Sequence, residues 1–476
     1  MTPDIQGLRI GRRRITSHER DCSAVSNPAT GEHLFDVPVA TTDDLDAALE
    51  AAQSGFELWS AQTAYDRARV LHRAAGLIRE RQEEIAHALV LEQGKAIAEA
   101  RIEVGGAADT FEWYAEEGRR AYGRIVPARA PNTRWLVTRE PIGPVAAFSP
   151  WNFPAMLSAR KIAGSLAAGC SCIIKPAEET PTPVAYFAEI LEQAGLPENV
   201  LSVVTGEPAH ISSHLIASPV VRKVSFTGSI PVGRHLAQLA GKYLKKITLE
   251  LGGHSPTIIF DDADIEKAVE TTLAFKLRNA GQMCISPTRF YVQDAVHDRF
   301  ADAFAKASDA ATVGNGLDEG NRMGSLANHR RLEAVERLVA DASDRGARIA
   351  AGGMRQGNEG LFYRPTVLTD VPDDAVAMSE EPFGPIAIVN RFSDMDDAVR
   401  KANALPYGLA AYAFTRSADR VREIGRRVEA GVVGINNTMV SVAEAPFGGV
   451  KESGYGSEAG LEGLEEFHVT KFISEA

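Results

Sequence analysis

The apolar positions along this chain change their period twice. Between residues 42 and 120 they recur at helical spacing: Leu45, Ala48, Leu49, Ala52 and Phe56 form one stripe, with Asp43 and Asp44 in the first turn. A longer periodic segment from 66 to 92 predicts a helix that stops at Gly94. From about 143 to 260 the pattern becomes short continuous apolar runs, at 145–148, 172–174, 201–204, 223–226 and 247–249. Ala- and Leu-rich helical stretches separate the first four. Unbroken apolar strands alternating with helices predict βαβ units and a parallel sheet covered on both faces.

A second α/β region follows from about 257 to 440. Residues 120–140 and the last twenty or so alternate apolar and polar positions over short distances, as strands that pair elsewhere do. In parallel sheets, ligands bind beyond the carboxyl ends of the strands. Those ends here carry polar or glycine-rich turns: Ser149-Pro150-Trp151-Asn152, Lys175-Pro176-Ala177-Glu178, Thr205-Gly206 and Thr227-Gly228-Ser229.

A length of 476 residues suits two to four domains, and an apolar fraction of 45% supports large cores. The net charge of −12 argues against a nucleic-acid surface. No apolar run approaches the roughly 18 residues needed to span a bilayer, and no targeting peptide is evident, so a cytoplasmic protein is expected. Four cysteines without metal-like spacing imply a reducing compartment and no metal site. Cys170 and Cys172 read as small buried residues at a strand entrance.

The chemistry concentrates in a few runs. Cys284 ends Gly281-Gln282-Met283-Cys284, just after a helix predicted over 265–280. A lone cysteine is ordinarily a core hydrophobe, but one in a loop beyond a helix breaker can be a reactive thiol. Glu250 ends a strand-like run before Leu251-Gly252-Gly253, as a surface glutamate or as a general base. Asn152 is either an Asx cap or an NH₂ donor to a developing oxyanion. Lys175 and Glu178 form a salt-bridged turn or hold ribose hydroxyls. Gly228 and Ser229 place free N–H groups at a helix start, a weak signal for pyrophosphate. Glu380, Glu381 and Phe383 lie in a proline-bracketed loop, either a rigid turn with surface acids or a site where one carboxylate of the pair holds a second ribose.

Together these runs resemble the aldehyde dehydrogenase superfamily over nearly the whole chain. The matching signatures are Pro150-Trp151-Asn152-Phe153-Pro154, Lys175-Pro176-Ala177-Glu178, Phe226-Thr227-Gly228-Ser229, Glu250-Leu251-Gly252-Gly253, Gly281-Gln282-Met283-Cys284, Glu381-Pro382-Phe383-Gly384-Pro385 and Pro446-Phe447-Gly448-Gly449. The resemblance implies an α/β fold with a Rossmann-type cofactor domain (1–119 and 139–247) and an α/β catalytic domain (248–440). Segments 120–138 and 441–476 would form a small β oligomerisation domain, building a homodimer or homotetramer. It implies Cys284 as nucleophile, Glu250 as base and Asn152 as oxyanion donor. Trp151, Lys175, Glu178, Gly228, Ser229, Leu251, Glu381 and Phe383 would bind NAD, with NADP possible but weaker.

Within the superfamily the chain is most similar to succinate-semialdehyde and 2-oxoglutarate-semialdehyde dehydrogenases. There Arg160, Arg278 and Ser441 would hold the distal carboxylate of a small semialdehyde, a task suited to the guanidinium fork. In isolation Arg278 is also a favourable charge at a helix C-terminus. A general dehydrogenase for neutral aldehydes is the alternative; a CoA-acylating enzyme is disfavoured by Glu250, and a catalytically retired binding protein by the intact trio. Ser286 stands where some relatives carry a second, redox-active cysteine, and Met283 replaces the commoner threonine.

Overall fold

A computed structural model describes residues 7–17 and 20–476; the remaining residues of the expected 1–119 segment lie outside the described ones. Two large sheets organise the chain. The first runs Gly454–Tyr455, Lys246–Glu250, Lys223–Thr227, Val145–Phe148, Cys172–Lys175, Leu201–Val203, Leu8–Ile10, Arg13–Ile15. Its five middle strands are parallel, and the strands beyond them on either edge are antiparallel. Val145–Phe148, Cys172–Lys175 and Lys223–Thr227 are buried along their whole length, which is why they read as unbroken apolar runs.

Chain order reverses between Val145–Phe148, which is followed outward by Cys172–Lys175, and its other neighbour Lys223–Thr227. Such a switch opens a crevice at the carboxyl ends of the two strands, where connections leave in opposite directions. Trp151, Asn152, Gly228 and Ser229 follow those ends directly.

The second sheet runs Arg348–Ala351, Thr366–Thr369, Ile386–Phe392, Pro287–Gln293, Ser255–Ile259, Ala410–Phe414, Val432–Ile435, parallel except for its first strand. A smaller sheet joins His468–Glu475, Arg134–Pro141 and Arg124–Val126. Within 441–476, the strand Gly454–Tyr455 joins the first large sheet instead. No helix of the described residues is long and apolar enough to cross a membrane.

The helix Thr42–Ser60 begins where its sequence announces it. Thr41 accepts from Asp44 N–H and the Asp44 carboxylate accepts from Thr41 N–H, a reciprocal capping box. The segment expected as one helix over 66–92 is two, Ala64–Glu80 and Gln82–Gln93. They meet at Arg81, whose backbone leaves the α region and whose guanidinium is drawn to Glu84 and Glu189. Gly94, with φ of 89°, ends the second.

The helix expected over 265–280 ends earlier, at Leu277. Asn279 and Ala280 both take φ of 52°, a left-handed conformation that breaks the helical path and that alanine adopts at a cost. Gly281 follows with φ of 70°, and a Cβ there would stand 2.2 Å from Gly384 O. The chain is thus turned sharply just before Cys284.

Candidate active site

A cavity of about 780 Å³ opens at the crevice of the first sheet and extends between the two large sheets. All of the expected catalytic and coenzyme residues bound it. Cys284, Glu250 and Asn152 meet at one part of its wall; Trp151 and Phe383 face each other edge-to-face, with ring centroids 5.4 Å apart. Lys175 and Glu178, Gly228 and Ser229, Leu251 and Glu381 supply the rest of the expected set. Arg160, Arg278 and Ser441 lie off this wall.

Cys284 is partly exposed, on the turn between Gly281 and the strand Pro287–Gln293. Burial pushes its thiol well up, the carboxylates of Glu250 and Glu381 add to this, and the charge of Arg160 opposes it. Glu250 ends the strand Lys246–Glu250 and is 2% exposed, and its Oε1 has no partner among the described residues. Burial, then the charge of Glu458, raises its pKa well above the carboxylate range, against Arg160 and Lys161.

Asn152 does not cap the helix Pro154–Ala168, which has Phe153 at its N-cap and no side-chain capping bond. Its Nδ2 instead donates to Gln282 O at 3.1 Å, joining this loop to the loop of Cys284 and leaving a second N–H. Met283 is buried in the core, and Ser286 accepts from the buried Lys276 Nζ at 3.1 Å. Cys170 and Cys172 are fully buried, as expected for small core residues.

The far wall suits a dinucleotide. Lys175 donates to Glu178 and to Pro176 O, so a cation and a half-exposed carboxylate sit together at the end of a parallel strand. Ser229 begins the helix Ile230–Lys242 without a side-chain capping bond, which leaves that helix end open to an anion. The Gly228 N–H is not free, contrary to the sequence expectation: it donates to Glu250 O at 3.0 Å. A Cβ on Gly233 would stand 2.4 Å from Leu251, so the helix packs tightly on that side chain. Glu381 is half-buried and accepts from Gly253 N–H at 3.1 Å; desolvation raises its pKa to about 8, against that bond and the charges of Arg331 and Lys276.

Arg160, on the helix Pro154–Ala168, and Ser441 are brought together: Arg160 Nη2 donates to Ser441 Oγ at 2.7 Å. The guanidinium stacks 4.7 Å from the Phe447 ring centroid. Arg278 bonds neither; it lies over Phe153 at 5.3 Å, with its Nε unpaired.

Motif reading missed several groups. Lys161 donates to Thr227 Oγ1 at 2.8 Å, to Ser225 Oγ at 3.2 Å and to Glu458, whose second oxygen has no partner. Lys161 and Glu458 thus place opposite charges behind Glu250. Arg331 lies over Phe383 at 5.9 Å. A lone Lys or Glu in a helix or loop carries no sign in sequence that it faces inward.

The model of the aldehyde dehydrogenase family matches residues 15–473, and the chain belongs to that family. It is 52% identical to a 4-(hydroxymethyl)benzenesulfonate dehydrogenase of Comamonas testosteroni, over 97% of this chain and 96% of that protein. It is 44% identical to the NADP(+) succinate-semialdehyde dehydrogenase of Escherichia coli strain K12, over 94% and 93%. The crystal structure of succinate-semialdehyde dehydrogenase from Burkholderia pseudomallei superposes with a TM-score of 0.97 at 43% identity, covering 100% of this chain and 99% of that one. The protein is an aldehyde-oxidising enzyme of a family that uses NAD(P).

Proposed function

We propose that this protein oxidises an aldehyde carrying a distal carboxylate, such as succinic or 2-oxoglutaric semialdehyde, to the acid, with NAD preferred. The observation that carries the reading is Arg160: a buried guanidinium with Nε and Nη1 unpaired and Nη2 on Ser441. Buried donors without acceptors are costly, and a ligand carboxylate can take one of them together with the second N–H of Nη2.

The Cys284 thiolate attacks the aldehyde carbon, and the oxyanion is held by the second N–H of Asn152 together with the Cys284 backbone N–H. Bound NAD(P) would supply the hydride acceptor. Loss of hydride leaves a thioester on Cys284. Glu250 takes a proton from water, the water oxygen adds to the acyl carbon, and the acid leaves as the thiol is restored.

Lys175 and Glu178 would hold the adenosine ribose, and the Glu178 carboxylate would oppose a 2′-phosphate, which supports NAD over NADP. Glu381, Trp151 and Phe383 would hold the nicotinamide half of the coenzyme, Glu381 through its ribose. The exposed Ile125, Phe472 and Ile473 on the three-stranded sheet support a homo-oligomer.

A second reading rests on the Comamonas relative. A sulfonate has the charge and acceptor oxygens of a carboxylate, so an aldehyde bearing an aryl sulfonate is the rival substrate. kcat/KM for butanal, succinic semialdehyde, 2-oxoglutaric semialdehyde and 4-formylbenzenesulfonate separates the cases. Equal values for butanal and the anionic aldehydes would return the enzyme to a general aldehyde dehydrogenase.

A further inference from the structure

The loop that carries Asn152 is held from beneath by a buried ion pair which none of the steps above uses. Lys95 and Glu103 have side chains 0% exposed, with Lys95 Nζ 2.5 Å from Glu103 Oε2. The same ammonium donates to Asn152 O at 2.7 Å and lies 4.2 Å from the Phe153 ring centroid. Its three N–H groups therefore have a carboxylate, a carbonyl and an aromatic face to meet. Glu103 Oε1 accepts from Ala155 N–H at 2.9 Å and Met156 N–H at 3.2 Å. The carboxylate thus caps, from another helix, the helix Pro154–Ala168 that lacks a cap of its own.

A second strut reaches the same carbonyl. Asn279 Nδ2 donates to Asn152 O at 2.9 Å and to Gln282 O at 3.2 Å. Gln282 O also accepts from the Asn152 side chain, and Asn279 N–H is held by Glu99 Oε2 at 2.8 Å. Asn152 is thereby fixed at both ends: its carbonyl by Lys95 and Asn279, its amide by the residue two before Cys284.

Burying two charges costs several kcal/mol per ion, and a well-packed apolar pair of similar volume is often as stable or more so. Stability alone is therefore a poor account of the pair. Its remaining bonds all end on residues 152–156. We propose that Lys95, backed by Glu103, is a positioning residue that sets the Asn152 amide against Cys284 for acylation. This rests on the reading of Asn152 as oxyanion donor. A carboxamide displaced by about 1 Å from its productive place loses on the order of a hundredfold in rate.

The test compares Lys95→Met, Glu103→Gln and Asn152→Ala, alone and combined, by rapid-mixing measurement of the first NADH turnover, normalised to alkylatable Cys284. NADH affinity by fluorescence reports the coenzyme site separately. Lys95→Met should slow the burst about 30- to 100-fold while NADH affinity changes less than about threefold. Placed on Asn152→Ala it should add less than about threefold, because the two act through one group.

Glu103→Gln keeps the acceptor for Ala155 and Met156 and should slow the burst about tenfold. It carries the same double-variant comparison if Lys95→Met does not fold. An unslowed burst in either folded variant, or losses that multiply on Asn152→Ala, would overturn the proposal while leaving Asn152 its role. An unslowed Asn152→Ala would instead remove the oxyanion reading, and the proposal with it.

Discussion

Arg160 donates to Ser441 across 281 residues of chain, at 2.7 Å, while its other two donor positions stay buried and unpaired. The serine orients the guanidinium through one N–H of Nη2 and leaves the second N–H of that nitrogen for a ligand. A charge-assisted hydrogen bond contributes about 1.5–3 kcal/mol, roughly ten- to a hundredfold in kcat/KM. Arg160→Ala should lower kcat/KM for succinic semialdehyde by that factor and spare butanal. Ser441→Ala should give a smaller loss of the same kind. Equal losses with both aldehydes would make Arg160 a support of the fold.

The two chemical residues should fail differently. Cys284→Ala should abolish NADH formation, since no other group can carry the thioester. Glu250→Gln should still acylate, giving a burst of about one NADH per site and then slow turnover. Unimpaired steady-state turnover in Glu250→Gln would remove it from the role of base.

The pH dependence of deacylation should follow Glu250. A base works as the carboxylate, and burial together with the Glu458 charge holds Glu250 protonated to higher pH than an ordinary carboxyl. Turnover limited by deacylation should therefore rise with pH through that elevated pKa. Glu458→Gln removes a negative charge and leaves Lys161 uncompensated nearby, both of which favour ionised Glu250. Its rising limb should move to lower pH; a shift to higher pH would refute the coupling.

Coenzyme choice should turn on Glu178. Wild type should favour NAD in kcat/KM, and Glu178→Ser should narrow the preference by freeing Lys175 from its carboxylate partner. A wild-type preference for NADP would show that Lys175 and its neighbours outweigh the Glu178 charge.

Glu92 offers a test of stability apart from catalysis. It is buried, its Oε1 lacks a partner, and burial raises its pKa to about 8, against bonds from Thr182. The folded protein holds this proton when the unfolded chain has released it. The contribution is thus fully present below the unfolded pKa near 4.5 and lost as pH rises toward 8, by about 1.4 kcal/mol per pH unit. Glu92→Gln should flatten the fall of Tm between pH 5 and pH 8, about the range this one group spans. An unchanged slope would mean that Glu92 ionises in the folded state.

The five parallel strands of the first sheet were legible as short apolar runs, three of them buried along their whole length, whereas its outer strands Leu8–Ile10, Arg13–Ile15 and Gly454–Tyr455 carry no such run. Cys284, Glu250 and Asn152 stood out because each follows a strand or a helix breaker. Less visible was the early end of the helix at Leu277, since Asn279 and Ala280 take left-handed backbone that alanine gives no reason to expect. The Lys161–Glu458 pair joins residues 297 apart, and only the assembled sheet brings them behind Glu250. Arg278 matched its motif and lies over Phe153, a contact that the motif did not announce.

The strand that ends in Glu250 is zipped to a late-made partner. Glu250 pairs with Gly454, Leu251 N–H donates to Ser453 O at 3.0 Å, and a Cβ on Gly454 would stand 1.9 Å from Leu249 O. Ser441 and Glu458 flank that strand in sequence. During synthesis the thiol therefore emerges from the ribosome well over a hundred residues before the base is clamped or the arginine oriented. Chain order thus separates the nucleophile from the segment around Gly454 that clamps the base, and a chain ending between the two carries the thiol without that clamp.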